Sequence, residues 1–144
     1  MDFKKMTKKE LLEYGKDNGI VGITNKLGKD KLCEIILEEL KRIEIKNDLL
    51  DQLERNGVYG QHYTDLVEDY MRMWEVKNEL YRDIKNKGVN IKYQNSETQW
   101  GYKKNDSVGE LTRTNNQMLK LLDSLGLKAS KFENELIEEE DDEM

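Results

Sequence analysis

Residues 64–88 read TDLVEDYMRMWEVKNELYRDIKNKG, and this segment sets the architecture of the chain. Its apolar side chains recur every three or four residues and would form one broad stripe along a helix. The stripe consists of Leu66, Val67, Tyr70, Met73, Trp74, Leu80, Tyr81 and Ile84. Gln61 or Thr64 can begin the helix, and Gly88 can cap its C-terminus. The spacing therefore predicts a long amphipathic helix that ends near Lys87.

Residues 89–104 follow a different period. Val89, Ile91 and Tyr93 alternate with polar residues, and so do Trp100 and Tyr102. This alternation, interrupted by the polar residues 94–99, predicts a small β-hairpin or a long ordered loop. Because a lone two-stranded ribbon is marginally stable in water, we expect it to pack on another surface.

A second amphipathic helix is predicted after this connector. Residues 107–110, Ser-Val-Gly-Glu, have the form of a capping box, and Gly126 can end the helix with Leu127 closing the cap. The apolar residues between them are Leu111, Met118, Leu119, Leu121, Leu122 and Leu125. The two long helices and the connector predict a helical-hairpin core.

The N-terminal residues predict a helix, a short extended piece and a second helix. Residues 7–10, Thr-Lys-Lys-Glu, form a capping box, and Asn18-Gly19 can end the first helix. Ile20, Val21 and Ile23 would be the extension, and the second helix opens at residues 28–30 with apolar residues through Ile43. A separate short helix is predicted from Asn47 or Asp48 to Asn56-Gly57, and residues 57–60 would be a hinge. A third capping box, at residues 130–133, predicts a short last helix through Leu136 and Ile137.

Composition agrees with a mainly α fold. The 144 residues include no proline, so glycine and asparagine must separate the helices. Charged residues, at 38%, outnumber hydrophobic residues, at 36%, which favours helices with solvated faces and subunits that complete their cores by association. Two helices and a hairpin bury little alone, so part of the aromatic surface is expected between subunits. The interface candidates are Tyr70, Met73, Trp74, Tyr81, Trp100 and Tyr102. The alternative for the first four is ordinary intramolecular core.

Charge is distributed unevenly along the chain. Residues 1–31 hold eight lysines against five acids, a net +3, whereas residues 133–144 hold eight acids and no base. Such a division predicts separate partners for the two ends. The lysines that can contact phosphate are Lys8, Lys9, Lys26, Lys29 and Lys31, and their other interpretation is solubility.

Catalytic chemistry finds little support. His62 is the single histidine and Cys33 the single cysteine, so neither a catalytic triad nor a zinc set has the required residues. Cys33 is expected in the core, and no glycine-rich phosphate loop is present. We therefore expect no enzyme, no metal and no cofactor; a metal-dependent nuclease hidden among the many carboxylates is the minority alternative. With no membrane-length apolar run and no signal core, an intracellular protein without membrane contact is expected.

Residues 48–132 resemble the phage terminase small subunits. The resemblance rests on an ordered set of positions, of which the ending Leu122-Asp123-Ser124-Leu125-Gly126-Leu127 followed by Ser130 is the most specific. The other positions are Arg55-Asn56-Gly57, Asp65-Leu66, Tyr70, Trp74, Ile84, Gly88, Lys104-Asn105-Asp106, Asn116 and Met118. The resemblance implies a non-enzymatic adaptor in virion assembly that forms a homo-oligomeric ring, binds double-stranded viral DNA at the packaging start, and recruits and regulates the large terminase subunit, an ATPase and nuclease. Its implied location is the host cell cytoplasm.

Residues 7–36 resemble a SAP-like helix–extension–helix module. The matching positions are Lys9-Glu10-Leu11, Gly19-Ile20, and Lys29 with Leu32. Modules of this kind bind DNA through lysines around the extension and the start of the second helix, which implies that role for the five lysines above.

These observations divide the chain into a DNA-binding module at 1–45, an oligomerisation core at 46–132 and an acidic tail at 133–144. The tail, with Glu138, Glu139, Glu140, Asp141 and Asp142, is expected either to keep the protein soluble, to dock on the large subunit or to compete with DNA for the lysines. The alternative function is a general architectural DNA-binding protein with no role in packaging. Sequence selectivity together with partner recruitment separates the two.

Overall fold

The computed structural model describes residues 1–127, and these form a mainly helical fold with one small hairpin. A short 3-10 helix, Phe3–Lys5, precedes helices α1 (Lys8–Asp17), α2 (Lys29–Arg55) and α3 (Gln61–Lys87). Strands β1 (Asn90–Gln94) and β2 (Trp100–Lys104) then pair antiparallel, and α4 (Asp106–Ser124) follows. The predicted mainly α fold with a hairpin connector is confirmed.

The chain divides into two compact units, Met1–Asp48 and the residues from Leu49 onward. In the first unit, six buried residues form a hydrophobic core: Phe3, Leu11, Ile20, Leu32, Cys33 and Ile36. In the second unit α3 packs against α4. The buried residues of the second unit include Leu49, Leu53, Val67, Met71, Trp74, Met118, Leu125 and Leu127. Met71, only 1% exposed, is a core residue that the apolar stripe predicted for α3 left out.

Three helices end in the same way, each at a glycine with positive φ. After α1, α2 and α4, the amides of Gly19, Gly57 and Gly126 and of the residues that follow them bond back to carbonyls in the last turn. This is the Schellman pattern, in which an L side chain would clash at the left-handed position. At α4 the bond from the Leu127 amide to the Leu122 carbonyl is 2.9 Å long, and Leu127 is buried as the sequence predicted.

Three local predictions are wrong. The extended piece predicted at Ile20, Val21 and Ile23 is interrupted by a turn at Val21 and Gly22, because Gly22 adopts a positive φ. The short helix predicted from residue 48 is the last part of α2, because neither glycine nor proline interrupts residues 29–55. Ser107 does not cap α4; Asn105 does, and the Ser107 amide donates to the Asn105 side chain.

The capping box at Thr7 is confirmed in full. The Thr7 hydroxyl accepts from the Glu10 amide at 3.2 Å, and the Glu10 carboxylate accepts from the Thr7 amide at 3.4 Å. The predicted third capping box, at residues 130–133, and the helix after it lie outside the described residues.

Candidate nucleic-acid interface and assembly surface

The 3-10 helix at the N-terminus closes the core of the first unit. Phe3 is buried and its ring meets the ring of Tyr14 edge to face, with centroids 5.0 Å apart. The Cys33 thiol, also buried, donates to the Phe3 carbonyl at 3.3 Å. Cys33 therefore has the packing role expected of it.

The loop between α1 and α2 is drawn tightly over the end of α1. The Ile20 amide donates to the Gly15 carbonyl at 2.8 Å. Ile23 lies so close to Gly15 that an added Cβ would be 2.8 Å from its Cδ1 atom. Between them Val21 is 90% exposed, although the sequence places it in an apolar run. Gly19 and Gly22, both with positive φ, make the turns that leave this valine in solvent.

Lys8 connects the start of α1 to the same loop. Its ammonium group donates to the Asn25 carbonyl at 2.6 Å. The bond brings the first turn of α1 beside the residues that lead into α2, so Lys26 and Lys29 lie close along the chain to the residue that Lys8 holds. Lys8 thus has a structural role that the sequence did not reveal, because its bond spans seventeen residues.

The other candidate lysines differ in their surroundings. Lys31 forms an ion pair with Glu34 at 3.5 Å, and both side chains are about half exposed. Within the part of the chain that the structure describes, Lys9, Lys26 and Lys29 are exposed and make neither hydrogen bonds nor ion pairs through their side chains. An exposed ammonium can approach a phosphate without first breaking an intramolecular bond, so these three are the best placed for phosphate contact.

A polar junction joins α3, the hairpin and α4 in the second unit. Asn105, only 3% exposed, lies at its centre. Its amide group donates to the Gly88 carbonyl at 3.0 Å and to the Asp83 carboxylate at 3.1 Å, and its backbone amide donates to the Val89 carbonyl at 2.6 Å. Asn105 therefore holds the end of α3, the base of the hairpin and the start of α4 together, through its side chain and its backbone amide.

Asp83 is the charged member of this junction. The Ser107 hydroxyl donates to it at 2.6 Å, and the Lys87 ammonium lies 2.9 Å away. The hydrogen bonds from Ser107, Lys87 and Asn105 stabilise the ionised carboxylate and lower the pKa of Asp83 to about 2. Asp83 remains ionised at neutral pH and keeps the three donors oriented.

The hairpin extends from this junction with little cover. Register pairs Lys92 with Tyr102 and Gln94 with Trp100, so both aromatic residues share one face with Lys92 and Lys104. The Lys92 ammonium lies 4.9 Å from the centre of the Trp100 ring, which meets the Tyr102 ring edge to face at 6.2 Å. Trp100 is 55% exposed and Tyr102 is 69% exposed. This face of the hairpin is therefore largely uncovered by the described residues of its own chain.

The structure separates the six predicted interface residues into three groups: buried, half-buried and exposed. Trp74 is buried in the subunit core, while Tyr70 and Met73 are half-buried, and burial raises the pKa of Tyr70. Tyr81 is 50% exposed, slightly less than Trp100. Tyr81, Trp100 and Tyr102 thus expose aromatic surface, whereas Trp74 packs inside the second unit.

Residues with catalytic or ligand-binding chemistry are scattered. His62 lies at the start of α3 with its ring 4.1 Å from that of Tyr63, and it is exposed. Residues 1–127 contain no group of three or more histidine, cysteine or acidic side chains arranged to hold a metal ion. Across the same residues, each helix is too short or too polar to cross a membrane. Glu138, Glu139, Glu140, Asp141 and Asp142 lie outside the described residues.

The chain matches a known protein family. The family described as "Phage terminase, small subunit" matches residues 46–142, which is about two thirds of the chain. The chain belongs to the phage terminase small-subunit family. Proteins of this family are in general DNA-binding and non-catalytic, and they act in phage DNA packaging with a large terminase subunit.

The match to the terminase small-subunit family covers almost all of the second unit and only the last three residues of the first. It spans the end of α2, all of α3, the hairpin and α4, and it leaves out residues 1–45. No curated protein and no solved structure matches the chain. The SAP-like module at residues 7–36 therefore stays a prediction from the sequence.

Proposed function

We propose that this terminase small subunit binds double-stranded viral DNA at the packaging start and brings the large terminase subunit to it. Family membership supports the packaging role. The observation that supports DNA contact is the exposure of Lys9, Lys26 and Lys29; Lys9 follows Lys8 in α1, and Lys26 and Lys29 follow Asn25, the residue that Lys8 binds. The DNA-binding role belongs to residues 1–45 in this proposal.

Lys8 and Lys31 complete the DNA surface in different ways. Lys8 holds the loop through Asn25, and Lys31 can exchange its ion pair with Glu34 for a phosphate. Exchange costs little, since a half-exposed ion pair contributes at most about 1 kcal/mol. The backbone amides at the start of α2 add donors that point toward an anion.

Assembly of several subunits increases the DNA affinity of the whole particle. A unit with a net charge of only +3 in residues 1–31 binds DNA weakly and with strong salt dependence. Several linked copies bind far more tightly, because each later contact is intramolecular. We assign the assembly to residues 46–132, with Tyr81, Trp100 and Tyr102 in direct contact between subunits, Tyr70 and Met73 at the margin and Trp74 beneath; a closed ring satisfies every such contact.

The acidic residues 133–144 are assigned to partner binding. Their eight carboxylates, Glu138, Glu139, Glu140, Asp141 and Asp142 among them, would dock on a basic face of the large subunit. The chain itself transfers no group and cleaves no bond in this proposal; it acts by binding and positioning.

The DNA surface is tested by replacing Lys9, Lys26 and Lys29 with glutamine and measuring DNA affinity over a range of salt concentrations. We expect weaker binding and a salt dependence whose log–log slope is shallower by up to about 0.9 for each phosphate contact removed. The matched control replaces Lys41, Lys85 and Lys120, which are also exposed, and so loses the same charge elsewhere. Equal weakening by both sets would show that net charge alone matters and would remove the assigned surface.

The packaging role is separated from general architectural DNA binding by two further readouts on the same proteins. Preference for packaging-start DNA over unrelated DNA, and co-sedimentation of the large subunit with that complex, are both expected. Binding that ignores sequence and recruits no large subunit would favour the architectural alternative.

A further inference from the structure

The hairpin carries a surface whose composition calls for a protein partner. Lys92, Trp100, Tyr102 and Lys104 share one face of the two strands, which we name the aromatic–lysine face. All four side chains are exposed. Tryptophan and tyrosine are the residues that most often dominate binding at protein interfaces, and an uncovered two-stranded hairpin is marginally stable in water.

A surface of complementary chemistry lies on α3. Glu75, Val76 and Glu79 are exposed, and Val76 retains 46% of its surface. At 100° per residue, Val76 is turned about 160° away from Trp74, one of the residues that α3 buries in the core. We name these three residues the outer α3 surface; it combines one apolar side chain with two carboxylates.

The two surfaces also agree in spacing. Lys92 and Lys104 are diagonal neighbours across the strands, and such pairs have their Cα atoms about 7–8 Å apart. Glu75 and Glu79 are four residues apart, and their Cβ atoms are therefore about 6 Å apart on the helix. Each lysine can reach one glutamate while an aromatic ring covers Val76.

We propose that the aromatic–lysine face of one subunit packs on the outer α3 surface of a second copy of this chain. The inference rests on the proposed function, in which the chain assembles, and it names the two surfaces that meet. Because they are different patches of one chain, the contact is heterologous, and repetition in a closing geometry makes a ring.

Double-stranded DNA is the weaker candidate for the aromatic–lysine face. Phosphates would pair with the two lysines but would leave Trp100 and Tyr102 without an apolar partner. A second copy offers both carboxylates and Val76, so it covers all four side chains. The experiment below therefore also measures DNA binding by this face.

The test is a charge exchange. One variant carries Lys92→Glu and Lys104→Glu, another carries Glu75→Lys and Glu79→Lys, and the mass of each protein in solution is measured by light scattering over a concentration series. Two attractive pairs become two repulsive pairs, so we expect either variant to weaken the subunit contact by about 10- to 100-fold. A chain with all four changes, or an equimolar mixture of the two variants, should regain the assembly because both surfaces have exchanged sign together.

The control carries Lys85→Glu and Lys103→Glu. It has the same net charge as the hairpin variant, but Lys103 lies on the opposite face of β2. We expect this control to assemble as the wild-type chain does. Helical content by circular dichroism confirms that every variant is folded, and regained assembly in the combined chain confirms it independently.

Three results would overturn the inference, and they differ in what else they affect. A wild-type chain that stays monomeric removes the contact and the proposed assembly together. Assembly that persists in both charge variants removes the contact and leaves the proposed function standing. If assembly persists but the hairpin variant loses DNA affinity, then the aromatic–lysine face binds DNA and not a second subunit.

Discussion

Replacing Asn105 by alanine should loosen the junction that holds the second unit together. Asn105 is buried, caps α4 through the Ser107 amide at 3.0 Å, and donates to the Gly88 carbonyl at 3.0 Å and to Asp83 at 3.1 Å. Alanine removes these three hydrogen bonds and leaves the backbone bond to Val89 in place.

The expected loss follows from these bonds. An N-terminal cap contributes about 1 kcal/mol to the free energy of unfolding, and the buried bond to Gly88 adds about 1 kcal/mol. The bond to Asp83 adds little, since that side chain is 27% exposed and water can replace the missing donor. The free energy of unfolding should therefore fall by roughly 2 kcal/mol, which lowers the urea midpoint by about 1 M at a typical denaturant slope.

The measurement is urea unfolding at one fixed protomer concentration, since association shifts apparent stability. Asn105→Ser retains a capping oxygen but is too short to reach Gly88, so it should recover about half of the loss. Asn116→Ala changes an exposed asparagine within α4 and should alter the free energy by less than about 0.5 kcal/mol. If Asn105→Ala behaved like Asn116→Ala, the junction would not be the structural centre that its geometry indicates.

Two further predictions concern the same unit. Asp83 has a pKa of about 2 in the folded chain against an ordinary 3.8, so it stabilises the fold above about pH 4, and this contribution should disappear as the pH falls toward 2. Urea unfolding from pH 7 to pH 2 should show wild type and Asp83→Asn converging in stability only in that acidic range, and a constant difference would contradict the assignment. Gly126→Ala should destabilise by about 1–2 kcal/mol because φ there is +75°, whereas Gly109→Ala, inside α4, should stabilise by roughly 0.5–1 kcal/mol. Thermal unfolding of the pair checks the opposite signs, and equal shifts would contradict the argument from backbone conformation.

Sequence reasoning succeeded where local physics is sufficient. The Thr7 capping box, the ends of the helices at Gly19 and Gly126, and the hairpin between α3 and α4 were all predicted and are all confirmed. Each depends on residues within one turn or one strand pair. The helical-hairpin core followed from the 3.6-residue period of its apolar residues.

Tertiary contacts account for two of the three predictions that were wrong. Ile20, Val21 and Ile23 have the residue types of a strand, yet a turn at Val21 and Gly22 interrupts them while Ile20 bonds back to Gly15 and Ile23 packs against Gly15. Ser107 fits a capping box, yet its hydroxyl bonds to Asp83, twenty-four residues away, and Asn105 takes the cap. A short-range pattern cannot show such partners.

The features of the candidate site also divide into those that the sequence determines and those that only the folded structure determines. The sequence alone determined the fold class, the family resemblance and the lysines that carry the charge of residues 1–31, since residue type, spacing and charge are written in the chain. Only the tertiary structure decided that Lys8 is held by Asn25, that Trp74 is core while Trp100 and Tyr102 are exposed, and that Asn105 joins three elements. The physical reason is that burial and hydrogen-bond partnership depend on residues far apart in sequence, which meet only when the helices and the hairpin have packed.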